Sequence, residues 1–266
     1  MPHPPRMPVG LVDCHAHLCD PAFDADRALV LERARLAGVI AVVAVGETLD
    51  DARRNLALAE LHAAVRPAAG LYPTHLDVEH ALAVEALIRE HRDRLVAIGE
   101  VGLDHWKVRE PAELALQREI FTRQVRLAIE LDLPLNVHSR SAGRDAVELL
   151  LHEGARRVQL HAFDGRPASA LPGVEAGFLF SVPPSVVRSA QKQKLVRRLP
   201  LSALLLETDS PVLGAVPGER NEPAHVRVVL RAVAELKGQR EEAVAEAVGE
   251  NVTRLYGPRL GVGTPP

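Results

Sequence analysis

The chain has 266 residues, a length at which α/β barrels commonly form one domain. Hydrophobic residues make up 47% and charged residues 25%, which excludes a disordered chain and supplies a large apolar core. The formal net charge of -3 excludes a general electrostatic attraction to nucleic acid or anionic membranes. Phosphate binding would therefore require a local patch or a metal ion.

The cysteines and the apolar runs bear on the cellular compartment. Cys14 and Cys19 form no disulfide framework, which is typical of a reducing compartment. Residues 1–8 are proline-rich and lack the apolar stretch of a signal peptide, and the longest apolar run, 37–46, is about half as long as a membrane span. We therefore expect a protein of the cytoplasm or nucleus that is not secreted and has no membrane partner.

Short apolar runs alternate with segments of helical periodicity along the chain. The predicted strands cover residues 9–17, 39–45, 68–72, 95–103, 133–138, 157–161, 177–182 and 204–209. The predicted helices cover residues 24–37, 48–64, 79–92, 113–131, 142–153 and two parts of 223–256 that separate near Gly238. Thr48 is predicted to cap the second of these helices.

This alternation, with no linker or change in composition, predicts a single (β/α)8 TIM barrel, an α/β fold. We expect the barrel domain to cover residues 9–258, between flexible tails at 1–8 and 259–266. An open doubly wound sheet is the alternative, but no Gly-x-Gly-x-x-Gly turn follows the first strand.

Two histidines end the first predicted strand. His15 and His17 are two residues apart, so their side chains point to one side of the strand and could bind one metal ion together. Asp13 shares that side and could orient an imidazole, whereas Cys14 points away and packs behind the strand. A His-x-His pair alone is a weak signal, and its meaning depends on partners elsewhere in the chain.

Four more residues with metal-binding side chains lie near the ends of other predicted strands, at Glu100, His138, His161 and Asp209. Barrel enzymes build their active sites at the carboxyl ends of the strands, where all six residues are expected to meet. Six ligands are too many for one catalytic zinc ion, but they suit two ions bridged by a carboxylate. Such a pair activates water for hydrolysis, and the imidazole-rich set favours zinc, manganese, iron or nickel over magnesium.

Five segments resemble the successive motifs of the TatD deoxyribonucleases, a branch of the metal-dependent amidohydrolase superfamily. They are Asp13–His17, Gly99–Asp104, Val137–Arg140, His161–Gly165 and Glu207–Pro211. The resemblance extends from about residue 10 to about residue 256. The amino-acid sequences of 138–144 and 185–194 are most similar to the vertebrate TatD-domain-containing protein 3 branch.

This resemblance implies a ligand arrangement. His15, His17 and Asp209 would hold one ion, and His138 and His161 would hold the other. Glu100 would bridge the two ions.

The resemblance also implies an activity. The enzyme would be a phosphodiesterase of exonuclease type that removes nucleotides from DNA ends, usually assayed with magnesium. Asp209 would take the proton from the attacking water, which makes Asp209 and Glu100 the expected catalytic residues. We expect DNA with a single-stranded end as the substrate, and no obligate protein partner is evident.

Three residues are candidates for substrate contacts. Arg140 follows a ligand histidine by two residues, and its planar fork fits phosphate oxygens. Trp106 lies in a loop at the site mouth, where it could stack a base or pack under the loop. Tyr72 stands where the family pattern has a histidine, and His75 follows three residues on, so substrate orientation and rate are affected. Asp104 is expected to orient the loop or a ligand.

Other interpretations stay open. The cations after the seventh strand could gather DNA phosphates, but helical spacing puts them on several faces and favours an ordinary solvated helix. They are Arg188, Lys192, Lys194, Arg197 and Arg198. The metal site could also serve an amidohydrolase-like enzyme on a small amide or phosphate ester, because fold and metals do not choose the substrate. A third possibility is a metal-loaded scaffold that binds nucleic acid or protein without turnover.

Overall fold

The computed structural model describes residues 10–261, and within this range eight strands alternate with helices. The strands are β1 (Leu11–Ala16), β2 (Val39–Ala44), β3 (Val65–Ala69), β4 (Ala97–Gly102), β5 (Leu135–His138), β6 (Val158–Leu160), β7 (Leu179–Val182) and β8 (Leu204–Leu206). Each lies within or beside a predicted strand, although most are shorter than predicted.

The α-helices follow the strands in sequence. They are α1 (Arg27–Leu36), α2 (Leu49–Leu61), α3 (Val78–Glu90), α4 (Pro111–Leu131), α5 (Gly143–His152), α6 (Pro167–Glu175), α7 (Ala190–Arg198), α8 (Val226–Lys237) and α9 (Glu241–Tyr256). Thr48 caps α2 as predicted, since its side chain accepts a hydrogen bond from the Asp51 amide. The helical pattern of α6 was not recognised, because Pro172 and small residues interrupt its periodicity.

The eight strands form one parallel sheet in the order β1 to β8. A parallel bridge between Ala16 and Ser210 joins its two edges just beyond β8. The predicted TIM barrel is therefore confirmed. Apolar side chains from strands and helices are buried between the sheet and the helical ring, for example Val42, Ile98 and Val229.

The third strand differs from the prediction, because β3 covers 65–69 rather than 68–72. Arg66 and Pro67 made the earlier residues look unlike a buried strand. The Arg66 guanidinium in fact donates hydrogen bonds to the carbonyls of Ala63 and Leu260, so its charge is accommodated. Tyr72 consequently lies in the loop after β3 rather than in the strand.

The structure bears differently on the two predicted tails, at residues 1–8 and 259–266. Residues 1–8 lie outside the described part of the chain. At the other end, a 3-10 helix continues to Leu260, whose side chain is buried, so the ordered fold extends past the predicted boundary at 258. No helix among residues 10–261 is long and apolar enough to cross a membrane.

Candidate metal centre

All six predicted ligands come together at the carboxyl end of the barrel. His15 and Glu100 lie within β1 and β4, and His138 is the last residue of β5. His161 follows β6 directly, while His17 and Asp209 lie one and three residues beyond β1 and β8.

Backbone hydrogen bonds hold the ends of β1 and β8 together. The Asp209 amide donates to the His15 carbonyl at 2.9 Å, and the His17 amide donates to the Ser210 carbonyl at 2.8 Å. Asp209 itself has φ of 54°, a left-handed conformation that Asp adopts more readily than most residues. The loop after β8 is thereby fixed against the His-x-His segment.

One half of the cluster contains His15, His17 and Asp209. The Nε2 atoms of the two imidazoles are 3.3 Å apart, and each lies 3.4 Å from Oδ1 of Asp209. These three side chains form one of the groups whose ligand atoms all lie within 4.8 Å of one another. This is the set that the resemblance assigned to the first ion.

The other half contains Glu100, His138 and His161. Oε1 of Glu100 lies 2.8 Å from Nδ1 of His138 and 2.7 Å from Nε2 of His161. Its second oxygen, Oε2, lies 3.4 Å from Nε2 of His17 and 3.7 Å from Nε2 of His15. Among residues 10–261, Glu100 is therefore the carboxylate whose oxygens contact imidazoles of both halves.

Glycine at position 102 allows β4 and β5 to approach closely enough for these contacts. A Cβ atom at Gly102 would lie 2.0 Å from the carbonyl oxygen of His138, and the residue has φ of 145°. A side chain there would push apart the two strands that carry Glu100 and His138.

The donor set fits divalent metal ions. Oε2 of Glu100 is buried without a hydrogen-bond partner, and pairs of imidazole nitrogens face each other at 3.2 and 3.3 Å. Buried carboxylate oxygens and facing nitrogen lone pairs are costly unless a cation lies between them. Neutral imidazoles and ionised carboxylates are the forms that bind metal.

The electrostatics of the cluster keep its acids ionised. Burial alone would raise the pKa of Glu100, but His161 and His138 hold it well below its usual range. The pKa of Asp209 is lowered in the same way by His15 and His17.

The imidazoles divide into two kinds. Burial opposes their charge, but Asp209 and Glu100 raise the pKa of His15 to about 10, and Asp104 and Glu100 raise that of His138 to about 9. Burial and His15 lower the pKa of His161 to about 4. A metal ion that binds here must therefore displace protons from some ligands but not from His161.

A second layer of residues orients the imidazoles. Nδ1 of His15 lies 2.8 Å from Oδ1 of Asn136, whose amide also donates to the Cys14 carbonyl at 3.0 Å. Oδ2 of Asp104 lies 3.1 Å from Nε2 of His138, while Oδ1 accepts from the Trp106 amide at 2.9 Å. Asp104 thus orients both the loop and a ligand, as predicted.

The predicted role of Asp13 was wrong. Its carboxylate accepts hydrogen bonds from the Thr208 hydroxyl at 2.6 Å and the Thr208 amide at 2.8 Å, and it contacts the His15 amide rather than an imidazole. The orienting group is Asn136, which the sequence analysis missed. It precedes His138 by two residues, so strand alternation places both on one face and would have found it. Cys14 is fully buried, as expected.

Three further polar residues lie at the site, and none of them was predicted to be near the metal ligands. Glu47 follows β2, and its Oε1 lies 3.9 Å from Nδ1 of His17. Glu207 is buried, accepts from the Ala162 amide at 2.8 Å, and has its pKa raised to about 8 by burial. Lys192 from α7 donates to the Ala162 carbonyl at 2.8 Å. Glu47 could have been found because it follows a strand, whereas Lys192 was considered only as one of the cations after the seventh strand.

A pocket of about 400 Å³ opens over the cluster, and its lining includes Tyr72 and Arg140. The Tyr72 hydroxyl lies 3.4 Å from Nε2 of His138, and burial raises the pKa of this phenol. His75 does not take the place of the family histidine, since its ring lies beside that of His80 with centroids 6.1 Å apart.

Trp106 and Arg140 form a stack near the mouth of the site. The guanidinium carbon of Arg140 lies 3.9 Å from the centre of the indole ring, and Lys107 Nζ lies 4.7 Å from it. The indole is 44% exposed, so it is not packed under the loop. Stacking on this indole restricts the orientation of the Arg140 guanidinium.

Comparison with known proteins identifies the family. The family described as TatD related DNase matches residues 12–257, nearly the whole chain. The chain belongs to this family. The family resemblance inferred from the five motifs is confirmed. The prediction that the protein is a metal-dependent hydrolase of this family is confirmed as well.

The curated relatives include vertebrate proteins. The mouse "Putative deoxyribonuclease TATDN3" is 47% identical over 96% of this chain and 90% of its own length. The human "Deoxyribonuclease TATDN3" is 45% identical over 95% of this chain and 96% of its own length. The predicted similarity to the vertebrate TatD-domain-containing protein 3 branch is thereby confirmed.

A bacterial relative adds a solved structure. YjjV of Escherichia coli K12, described as an uncharacterized metal-dependent hydrolase, is 30% identical over 92% of this chain and 97% of its own length. Its crystal structure has a TM-score of 0.87, with 28% identity over 94% of this chain and 99% of that chain. This chain thus shares its barrel with a relative that is described as a metal-dependent hydrolase.

Proposed function

We propose that this protein is a metal-dependent deoxyribonuclease of exonuclease type that hydrolyses phosphodiester bonds with two metal ions. The observation that carries the proposal is the position of Glu100, whose two oxygens contact both halves of a six-ligand cluster. The relatives described as deoxyribonucleases support DNA as the substrate class.

His15, His17 and Asp209 would hold one ion, and His138 and His161 would hold the other, with Glu100 between them. Bound ions would lower the pKa of water and stabilise charge on the attacking and leaving oxygens. The imidazole-rich donors suit zinc, manganese or nickel, and magnesium is the further candidate that the family resemblance implies.

Three side chains of the pocket would take part in proton transfer and substrate binding. Asp209 is ionised at neutral pH and would accept a proton from the attacking water. Arg140 lines the pocket and would bind phosphate oxygens, while its stack on Trp106 restricts its orientation. Tyr72 stays protonated and would donate a hydrogen bond beside His138.

The proposed substrate is a DNA strand end in single-stranded form. A pocket of about 400 Å³ suits a terminal nucleotide better than a stacked duplex. Cys14 and Cys19 are buried free thiols, which supports a reducing compartment such as the cytoplasm or nucleus.

The test compares the wild-type protein with Glu100→Gln on two substrates, a labelled single-stranded oligonucleotide and bis(nitrophenyl) phosphate. With each divalent metal in turn, wild-type protein should shorten the oligonucleotide stepwise and cleave the small diester, whereas the variant should do neither. Failure of the wild-type protein on both substrates, with metal content shown to be two ions per chain, would contradict the proposal. Hydrolysis of a nitroanilide but not of the diester would favour the amidohydrolase-like function.

A further inference from the structure

We propose that the groove between α6 and α7 binds the phosphate backbone of single-stranded DNA next to the metal centre. This inference rests on the proposed function and specifies where the strand beyond the scissile phosphate would run. The groove has a volume of about 920 Å³, and its cations are Arg166, Lys194, Arg197 and Arg198.

Three of the four cations of α7 lie on one face of the helix. Ala190, Lys194 and Arg197 follow the three- and four-residue spacing of a single helical face, and Gln191 and Arg198 repeat that spacing one residue on. The prediction that the cations after the seventh strand lie on several faces is confirmed for the set, because Lys192 reaches the metal pocket and Arg188 donates to the Gly214 carbonyl. Lys194, Arg197 and Arg198 nevertheless share the face that lines the groove.

The groove has no acidic residue in its lining. Within residues 10–261, none of its four cations has an ion pair with a carboxylate, whereas Arg33, Arg89 and Arg126 on other helices each have one. Four uncompensated cations in one groove stand out on a chain whose net charge is -3. Such a local field attracts a polyanion rather than a neutral partner.

A short loop connects the lining of the metal pocket to the lining of the groove. Ala162 and Asp164 line the pocket, while Arg166, two residues after Asp164, lines the groove. Two residues span at most about 7 Å, so the near end of the groove lies close to the rim of the pocket. The Gln191 amide donates to the Gly165 carbonyl at 2.8 Å and thereby ties the connecting loop to α7.

The shape and chemistry of the groove favour a nucleic acid strand over one small anion. A single phosphate would engage one or two cations, whereas four cations along a groove match a repeating charge. The aliphatic stems of the cations and Pro167 provide apolar contact for sugars and bases. Asp164, in the connecting loop, accepts from the Ser141 amide at 2.9 Å and is not part of the groove lining.

A structural role explains only part of this cluster. Arg197 and Arg198 lie in the last turn of α7, where positive charge favours the helix dipole. Lys194 lies earlier in the helix, and Arg166 precedes α6, where the dipole disfavours a cation. Helix stabilisation therefore does not account for the convergence of all four.

The test uses a groove variant, Lys194→Gln/Arg197→Gln/Arg198→Gln, and a matched control, Arg54→Gln/Arg156→Gln/Arg240→Gln. All six positions are exposed, and both variants lose the same charge. Fluorescence anisotropy with a labelled single-stranded oligonucleotide gives Kd as a function of salt. We expect the groove variant to raise Kd by about tenfold or more and to reduce the log–log salt slope by about 2, because each phosphate contact on single strands contributes about 0.7.

The control variant should bind like the wild-type protein, and both variants should cleave bis(nitrophenyl) phosphate at the wild-type rate. Equal Kd values for the groove and control variants would overturn the proposal. So would an absence of oligonucleotide binding by the wild-type protein, or equally tight binding of polyglutamate.

This design separates the groove from the proposed function. Groove-dependent DNA binding without cleavage of either substrate would retain the groove and reject the nuclease. Cleavage of both substrates with no difference between the groove and control variants would retain the nuclease and reject the groove.

Discussion

The Tyr72 hydroxyl lies 3.4 Å from Nε2 of His138, on the side of that ring where Asp104 also makes its contact. The two rings meet edge to face with centroids 4.9 Å apart. Burial and then Glu100 raise the pKa of Tyr72, so the phenol remains a hydrogen-bond donor across the working range. This chain therefore has a neutral hydroxyl where the family pattern places an imidazole.

Replacement of Tyr72 by Phe should lower kcat by about two- to tenfold, because it removes one hydrogen bond of about 0.5–1.5 kcal/mol while keeping the ring packing. Metal content, measured by mass spectrometry of the purified protein, should stay at the wild-type level. Tyr72→His serves as the comparison and should retain activity. Loss of metal from Tyr72→Phe would show that the hydroxyl supports the ligands rather than the substrate.

Replacement of Asn136 by Ala should weaken metal binding by about 10- to 100-fold, the usual effect of losing a group that orients a ligand imidazole. The variant frees Nδ1 of His15, which lies 2.8 Å from Asn136. Titration with a metal-sensitive dye measures the affinity. Asn251→Ala is the control, since this buried amide donates only to the carbonyls of Leu201 and Leu204 and should reduce stability alone. Equal metal affinities for the two variants would contradict the assignment.

Metal affinity should rise with pH between about 6.5 and 8.5, by up to tenfold per unit for each proton released. In the metal-free protein the pKa values of His15 and His138 are raised to about 10 and about 9, so both rings are protonated at neutral pH and must lose protons on binding. The same shifts stabilise the metal-free fold below about pH 6.5, and this stabilisation is lost as pH rises through 9 to 10.

Calorimetry in two buffers of different ionisation enthalpy measures the proton release. Asp209→Asn should release fewer protons at pH 8, because Asp209 raises the pKa of His15. A metal affinity independent of pH over this range would contradict the raised values.

Replacement of Trp106 by Ala should raise KM for an oligonucleotide by about two- to fivefold, corresponding to an exposed cation–π contact of about 0.5–1 kcal/mol. The indole orients Arg140, whose guanidinium carbon lies 3.9 Å from the ring centre. In an Arg140→Gln background the same substitution should have no further effect. A full additional effect in that background would show that Trp106 contacts DNA independently.

Much of this molecule could be predicted from short-range sequence patterns. Apolar runs of strand length alternate with segments of helical periodicity, and parallel strands joined by helices close into a barrel. The sequence therefore predicted His15, Glu100 and His138 on one rim of that barrel. Chain direction alone places the carboxyl ends of the strands together. The Thr48 cap could likewise be predicted, because it needs only the Thr48 side chain and the backbone amide three residues later.

Other features depended on contacts between distant segments. Asp13 was expected to orient an imidazole, yet its carboxylate accepts a hydrogen bond from Thr208 at the other edge of the sheet, and Asn136 contacts the His15 imidazole instead. The third strand was expected to begin at residue 68, whereas it begins at Val65, and Arg66 within it donates a hydrogen bond to the carbonyl of Leu260 at the far end of the chain.

The barrel, the six candidate ligands and the family could be predicted without a structure, because these depend on residue type, periodicity and chain direction. Three features became visible only in the fold: which oxygen of Glu100 faces which imidazole, which groups contact those imidazoles, and the convergence of Lys194, Arg197 and Arg198 with Arg166. Distances between side chains far apart in sequence are set by packing of whole elements, and local pattern carries no information about them.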